Sequence, residues 1–394
     1  MDKKQVRYGI VGIGKQGTFY TKIFTKLSSL VKGAKLTAVC DISPERRKYA
    51  EENLKGVKVF DNYQDMFKSG LIDVVMVETP HYFHPQIAID AMKAGLNVLC
   101  DKPAGVYTKQ VREMNEEAKK HPELLFGMMF NQRTNPLYIK AKELIDSGRL
   151  GKLTRTVWII TDWYRSQSYY DSGSWRATWA GEGGGVLFNQ APHNVDLFQW
   201  IPDMMPSKVR AFCHFGKWHD IEVEDDVTAY LEFANGATGT FIASTGDALG
   251  ENRLEIIGTR ARIRIENDQL TLDTLSVDER DWCPVCKEPF GVPDIQHEIV
   301  QTDGENPQHA GVLNAFAAHI LHGTPLVADG REGIRGLMLS NAMHLSSWTN
   351  QTVSLPIDEE LFLKLLNEKR RTSRHKDEVD AAIDVSGSFG STRK

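Results

Sequence analysis

Three glycines at G-x-G-x-x-G spacing, Gly12, Gly14 and Gly17, follow directly on the apolar run Val6–Val11. Glycine at the first place permits a tight turn. At the second it lets the backbone approach a pyrophosphate, and at the third it lets a helix pack closely on a strand. The N–H groups freed at the start of that helix face the anion, with Lys15 and Gln16 inside the same loop. Asp41 closes the next apolar run, where a carboxylate can bind the ribose hydroxyls of an adenine dinucleotide. A carboxylate there repels a 2′-phosphate, so NAD is the expected cofactor. Arg46 and Arg47 lie close enough to leave NADP open. The alternative reading of Asp41 is a cap on the helix that Ser43-Pro44 begins.

Other stretches suit a ligand as well. Thr79 and Pro80 end an apolar run, at the place where parallel sheets present ligand-binding loops, and His84 follows as a cofactor contact or merely a helix cap. Between Trp163 and Arg176 aromatic side chains alternate with arginines. Flat apolar faces beside forked donors suit a pyranose ring and its hydroxyls, with Tyr169, Trp175 and Arg176 the candidates. The same composition also suits a lock between domains. His309, just ahead of a helical pattern, is a further candidate for substrate contact.

Elements that position these residues show in the hydrophobic pattern. Strand-like runs at Val6–Val11, Lys35–Cys40, Val74–Val77, Asn97–Cys100 and Leu124–Met129 alternate with amphipathic helical stretches. That alternation predicts βαβ units and a parallel, doubly wound sheet. From residue 152 to 265 the period changes to two, with Asn235-Gly236 as a hairpin turn, and a helix is expected over about Val186–Trp200. Three helical patterns follow. The fold class is therefore α/β, an N-terminal Rossmann dinucleotide-binding domain followed by an α+β domain with a large, mostly antiparallel open sheet. The boundaries read as 1–133, 134–368 and a basic, flexible tail at 369–394.

Composition sets limits. The 394 residues carry a net charge of −5 with 41% hydrophobic and 25% charged residues, an ordinary globular mixture with no general pull toward nucleic acid or an anionic membrane. No apolar run approaches the ~18–20 residues of a membrane span, and no secretory leader pattern appears. Five cysteines fit reduced thiols, and Cys283 and Cys286 lack a second Cys/His pair to complete a zinc site, so no metal is expected. The expected location is cytoplasmic.

Two longer blocks carry a resemblance. Thr79-Pro80…His84, then Ala94-Gly95…Val98, then Asp101-Lys102-Pro103 is similar to the T-P-x-x-x-H, A-G-x-x-V and Glu-Lys-Pro landmarks of the glucose–fructose oxidoreductase / inositol dehydrogenase / rhizopine-catabolism (Gfo/Idh/MocA) family. Gly183-Gly184-Gly185…Asn189…His193…Asp196 resembles its second block, and the likeness runs over about residues 6–360. The resemblance implies that the first domain binds NAD(P), with Asp101 at the cofactor edge. It implies that Lys102 and His193 act at a sugar or polyol hydroxyl beside the nicotinamide. Histidine titrates near neutrality and suits a proton acceptor, while an ammonium stabilises a developing alkoxide. His193 is accordingly read as acceptor and Lys102 as electrostatic partner. Two departures stand out: Asp101 replaces the family's glutamate, and Asn189, a candidate substrate contact, replaces its aspartate.

The expectation is an NAD-dependent dehydrogenase acting on a secondary hydroxyl of a sugar, glycoside or polyol, in a homodimer or homotetramer, with no nucleic-acid or membrane partner. Redox-assisted glycoside cleavage with recycled NAD, and a catalytically silent sugar-sensing regulator, are its rivals.

Overall fold

The computed structural model describes residues 5–376. Its first unit holds strands β1 (Val6–Val11), β2 (Ala34–Cys40), β3 (Lys58–Phe60), β4 (Val74–Val77), β5 (Asn97–Cys100) and β6 (Phe126–Met128). Helices α1 (Lys15–Thr25), α2 (Pro44–Asn53), α3 (Tyr63–Lys68), α4 (His84–Lys93) and α5 (Thr108–Lys120) connect them. The sheet order is β3-β2-β1-β4-β5-β6 and every pair is parallel. Strands β1, β4 and β5 are buried almost throughout, as a sheet covered on both faces requires. The chain reverses direction of travel at β1, which pairs with both β2 and β4. Ligands of open α/β sheets bind at the strand C-termini beside such a switch point. Short β3 and α3 escape the hydrophobic pattern because β3 is a three-residue edge strand with half-exposed side chains.

Helix α6 (Pro136–Asp146) leads to a nine-stranded sheet built from β7 (Leu153–Ile160), β8 (Lys208–Phe215), β9 (Glu224–Glu232), β10 (Thr238–Ser244), β11 (Asn252–Gly258), β12 (Ala261–Glu266), β13 (Gln269–Leu275), β14 (Ile295–Val300) and β15 (Val353–Ser354). Its order is β14-β13-β12-β11-β7-β10-β9-β8-β15, antiparallel except for the β10/β7 pair. Burial alternates along β7, β9 and β12, so one face is covered and one is open. Helices α7 (Gln167–Asp171) and α8 (Pro192–Trp200) lie between β7 and β8. They are followed by α9 (Glu279–Trp282), α10 (Gln308–His322), α11 (Gly333–Thr349) and α12 (Glu359–Arg371). At the β9–β10 turn Gly236 takes φ +87°, and the Asn235 side chain accepts the Ala237 N–H at 2.9 Å.

Three expectations change. The helix over Val186–Trp200 begins only at Pro192, because proline lacks the N–H a preceding turn needs and biases Ala191 away from helical geometry. Helix α10 follows eight of the nine strands of the second sheet in sequence yet packs on the first: Val312, Leu313, Phe316 and Ala317 share a core with Val6, Tyr8 and Ile10. The basic residues read as a flexible tail are in part fixed. Lys369–Arg371 close α12, and Lys376 Nζ donates to the Tyr170 carbonyl at 2.6 Å. The rest of that tail, from 377 onward, lies outside the described residues.

Candidate active site

The glycine loop joins β1 to α1. Gly12 takes φ +92°, and a Cβ there would stand 2.8 Å from the Glu78 carbonyl oxygen. At Gly17 a Cβ would stand 2.0 Å from the Gly12 carbonyl, so neither position tolerates a side chain without moving backbone. In front of Gly14 the space is open to 4 Å, and no side chain caps the first turn of α1. Peptide N–H groups opening onto such a cradle at a helix N-terminus fit a pyrophosphate. Asp41 Oδ2 accepts the Ile13 N–H at 2.8 Å and Oδ1 the Ser43 N–H at 2.9 Å. The carboxylate thus ties the loop to the end of β2, and each oxygen retains a lone pair for a ribose hydroxyl. Capping of α2 falls to the Ser43 hydroxyl instead. The Arg46 guanidinium donates to the Ile13 carbonyl at 3.2 Å, placing a cation beside the loop, whereas Arg47 turns to the Asp41 and Ile42 carbonyls. Lys15, which opens α1, donates to Ser172 Oγ at 3.2 Å and so links the loop to the second unit; Gln16 follows it in the first turn.

Thr79, Pro80, Asp101 and Lys102 sit at the adjoining ends of β4 and β5, where Asp101 N–H bonds the Val77 carbonyl at 3.1 Å. His84 is a buried tie between these loops, its ring nitrogens 2.8 Å from the Pro103 carbonyl and 2.6 Å from the Thr79 carbonyl. That position leaves it little surface to offer a cofactor. Asp101 accepts the Lys102 N–H at 2.7 Å, and Lys102 Nζ crosses to the second unit to donate to the Asn189 carbonyl at 2.8 Å. Burial lowers the Lys102 pKa, against the pull of Asp101 and Glu182. Beneath them lies Glu78. Both of its oxygens are buried with no N–H or hydroxyl donor facing them, and burial, then the charge and hydrogen bonding of Asp101, push its carboxyl well up.

The Gly183–Ala191 stretch is a run of turns hung on β9. Glu224 accepts the Gly185 N–H at 2.9 Å and the Leu187 N–H at 3.0 Å through its side chain, and its carbonyl accepts the Val186 N–H at 2.9 Å. A Cβ on Gly185 would meet that carbonyl at 1.9 Å. These turns deliver Asn189, and the first turn of α8 delivers His193; the two face one site without sharing a helix. His193 stands edge-on to Phe130 at 6.4 Å, with Nδ1 unpartnered. Burial, then the Lys102 and His309 charges, hold it well below its ordinary pKa, so its ring is neutral near neutral pH. Asp196 is bound by Arg133 Nη2 and Nε at 2.7 and 2.8 Å and serves structure.

Tyr169 joins the site through its hydroxyl, which donates to Asn189 Oδ1 at 3.2 Å and accepts from Arg176 at 2.8 Å and Gln190 at 3.1 Å. The Arg176 guanidinium stacks between the Tyr169 and Trp175 rings, 4.7 and 4.8 Å from their centroids. Lys102, Asn189, His193, Tyr169 and Trp175 are all half-buried and converge from both units. His309 stands behind this group, near enough for its charge and those of Lys102 and Asp101 to act on one another and on His193. It is buried edge-on to Phe19 and Tyr20 at 5.3 and 5.5 Å, and burial takes its pKa down to about 4. Glu78, Glu182 and Glu224 were missed from the sequence. A lone acid closing the apolar run Val74–Val77, and another directly before Gly183, were the available signals. No group of three metal-ligating side chains occurs among the described residues, and Cys283 and Cys286 are both free. Among the described residues no helix is long and apolar enough to cross a membrane.

The arrangement is a dinucleotide cradle opening onto a lysine–histidine pair. Residues 6–128 match the model of an oxidoreductase family with an NAD-binding Rossmann fold, and residues 138–264 match the GFO/IDH/MocA C-terminal domain. The chain is 24% identical over 357 residues to the myo-inositol 2-dehydrogenase of Thermotoga maritima, covering 89% of this chain and 98% of that one. It is 26% identical over 271 residues to the scyllo-inositol 2-dehydrogenase (NAD(+)) of Bacillus subtilis, covering 66% of this chain and 74% of that one. The WlbA dehydrogenase of Bordetella pertussis, solved with NADH and UDP-GlcNAcA, shares the fold at TM-score 0.74 and 24% identity, over 90% of this chain and all (100%) of that one. The chain belongs to the Gfo/Idh/MocA family of NAD-binding oxidoreductases.

Proposed function

We propose that the protein oxidises a secondary hydroxyl of a sugar, glycoside or polyol, or reduces the matching ketone. The observation that carries this reading is the approach of Lys102, at the end of β5 beside the glycine loop, to Asn189 and to His193 in the first turn of α8, faced by the Tyr169–Arg176 aromatics. NAD, held by Gly12, Gly14, Lys15, Gln16, Gly17, Asp41 and Arg46, supplies the hydride acceptor when bound. His193 is neutral and takes the hydroxyl proton as the C–O bond gains double-bond character. Lys102, kept at the site by the Asn189 carbonyl and the nearby Asp101 and Glu182 charges, donates to the developing alkoxide. Arg176, Tyr169 and Trp175 orient the ring, the arginine and tyrosine through hydroxyl contacts and the tryptophan through its face. The inositol dehydrogenases named above support the substrate class.

The open face of the second sheet exposes Phe212, Tyr230 and Ile299, which supports a homodimer or homotetramer that covers it. The functional reading is tested with NAD and a panel of inositols, monosaccharides and glycosides. NADH absorbance grows with at least one of them, and Lys102→Ala and His193→Ala each remove it while NAD still binds. Full activity in both variants overturns the assignment.

A further inference from the structure

Lys102 and the buried Arg176 bring positive charge into the site, with Arg165 close enough to act on Lys102 too, and two carboxylates pull on Lys102 in return. Asp101 is one, on the first unit beneath Lys102. The other is Glu182, 2% exposed and on the second unit. Its Oε2 accepts the Ala177 N–H at 2.6 Å, and its Oε1 accepts from Asn189 Nδ2. Its backbone is anchored as well: the N–H donates to the Thr178 carbonyl at 2.9 Å, and its own carbonyl lies 3.1 Å from His81 Nδ1. Asn189 is therefore held at three points: by Glu182 at its amide nitrogen, by Tyr169 at its amide oxygen, and by Lys102 at its backbone carbonyl. A free asparagine amide rotates; this one has its flip decided by the carboxylate, since only the NH2 end can face Glu182.

We propose that Glu182 is a positioning residue for the reaction, its carboxylate acting through the Asn189 amide to aim Lys102 and Tyr169 at the substrate hydroxyl and to balance the site's positive charge. The inference rests on the lysine–histidine reading above. Charge and hydrogen bonding at this place form a two-residue unit, an acid at 182 and an amide at 189. The unit also works in reverse. A glutamine at 182 keeps an oxygen for the Ala177 N–H and turns its NH2 toward an aspartate at 189, which still accepts from Tyr169.

Exchange of the two groups is the test, using Glu182→Gln, Asn189→Asp and the double variant in the full chain. On the substrate found with the panel, Glu182→Gln lowers kcat by about tenfold or more, the size of one charge-assisted hydrogen bond, with a smaller change in KM. Asn189→Asp sets two carboxylates face to face and loses activity too. The double variant recovers most of the loss, which a purely structural role for Glu182 does not predict. A readout independent of turnover is the titration of Lys102 in protein carrying 13C-methylated lysines, with its signal assigned by loss in Lys102→Arg. Glu182→Gln moves that titration to lower pH and the double variant moves it back. An unmoved Lys102 titration in Glu182→Gln, or a double variant no better than the worse single one, overturns the proposal. If wild-type protein turns over no member of the panel, the functional reading fails while the Lys102 titration still decides the role of Glu182.

Discussion

Replacing Glu224 by glutamine removes the charge on which the turn before α8 hangs. Glu224 is fully buried and receives two peptide N–H groups, from Gly185 and Leu187, at 2.9 and 3.0 Å. His344 Nε2 lies 2.8 Å from Oε2, its ring stacked between Phe188 at 5.3 Å and Trp348 at 5.1 Å. Each N–H bonded to a buried carboxylate is worth about 1.5–3 kcal/mol. Glutamine keeps one acceptor oxygen and points an NH2 group at a donor that remains. The expected loss in Glu224→Gln is that of one such bond, about 1.5–3 kcal/mol. Urea unfolding followed by tryptophan fluorescence reads it. Turnover falls as well at concentrations where the variant stays folded, because Asn189 and His193 follow this turn, while NAD binding on the other unit is retained. His344→Phe alone and in combination gives a double-mutant cycle with a coupling of about 1–3 kcal/mol, as expected for groups in contact. A loss below about 1 kcal/mol in Glu224→Gln, or a loss of NAD binding in step with turnover, refutes the reasoning.

Other outcomes follow from the same structure. Glu78 is held protonated by burial and Asp101, so the folded state binds a proton that the unfolded chain releases above a pKa of about 4.3. Its contribution is complete below that value and is lost as pH rises, so Glu78→Gln gains stability relative to wild type between pH ~4.3 and neutrality; a difference that stays flat with pH counts against this. His193 and His309 are held neutral, His309 down to about 4, so their contribution is present above the unfolded histidine pKa of ~6.5 and is lost as pH falls below it. The acid limb of kcat/KM accordingly lies below pH ~6.5, and a limb above neutrality contradicts His193 as the acceptor. Lys376 Nζ donates to the Tyr170 and Arg176 carbonyls at 2.6 and 3.4 Å. Lys376→Ala loosens that segment and raises KM by about three- to tenfold, the equivalent of one hydrogen bond, with NAD affinity unchanged by titration.

The cofactor half of the molecule was legible because its signals are local. Gly12 and Gly17 are required by backbone conformation and close packing within six residues, Gly14 keeps the loop open between them, and β1, β4 and β5 announce themselves as short apolar runs. Lys102 and His193 came from the resemblance of their blocks, and the structure brings those blocks together across the two units. The second sheet was legible where strands alternate cleanly. Its late edge strand β14 is exposed at five of its six residues, and no periodic signal marks it.

What the chain order by itself determined is which chemical groups are present and on which kind of element each sits. A glycine loop after an apolar strand, an acid ending the next strand, and a lysine before a proline have meanings set by backbone geometry within a few residues. Only the tertiary structure decided which groups meet and in what charge state. Glu182 and Asn189 are seven apart in sequence, yet the run of turns places carboxylate against amide. Lys102 finds the Asn189 carbonyl from another sheet, and α10 leaves its sequence neighbours to cover β1. Protonation likewise depends on burial: Glu78 holds its proton and His193 lacks one because packing removes water from both, and no count of residues along the chain contains that information.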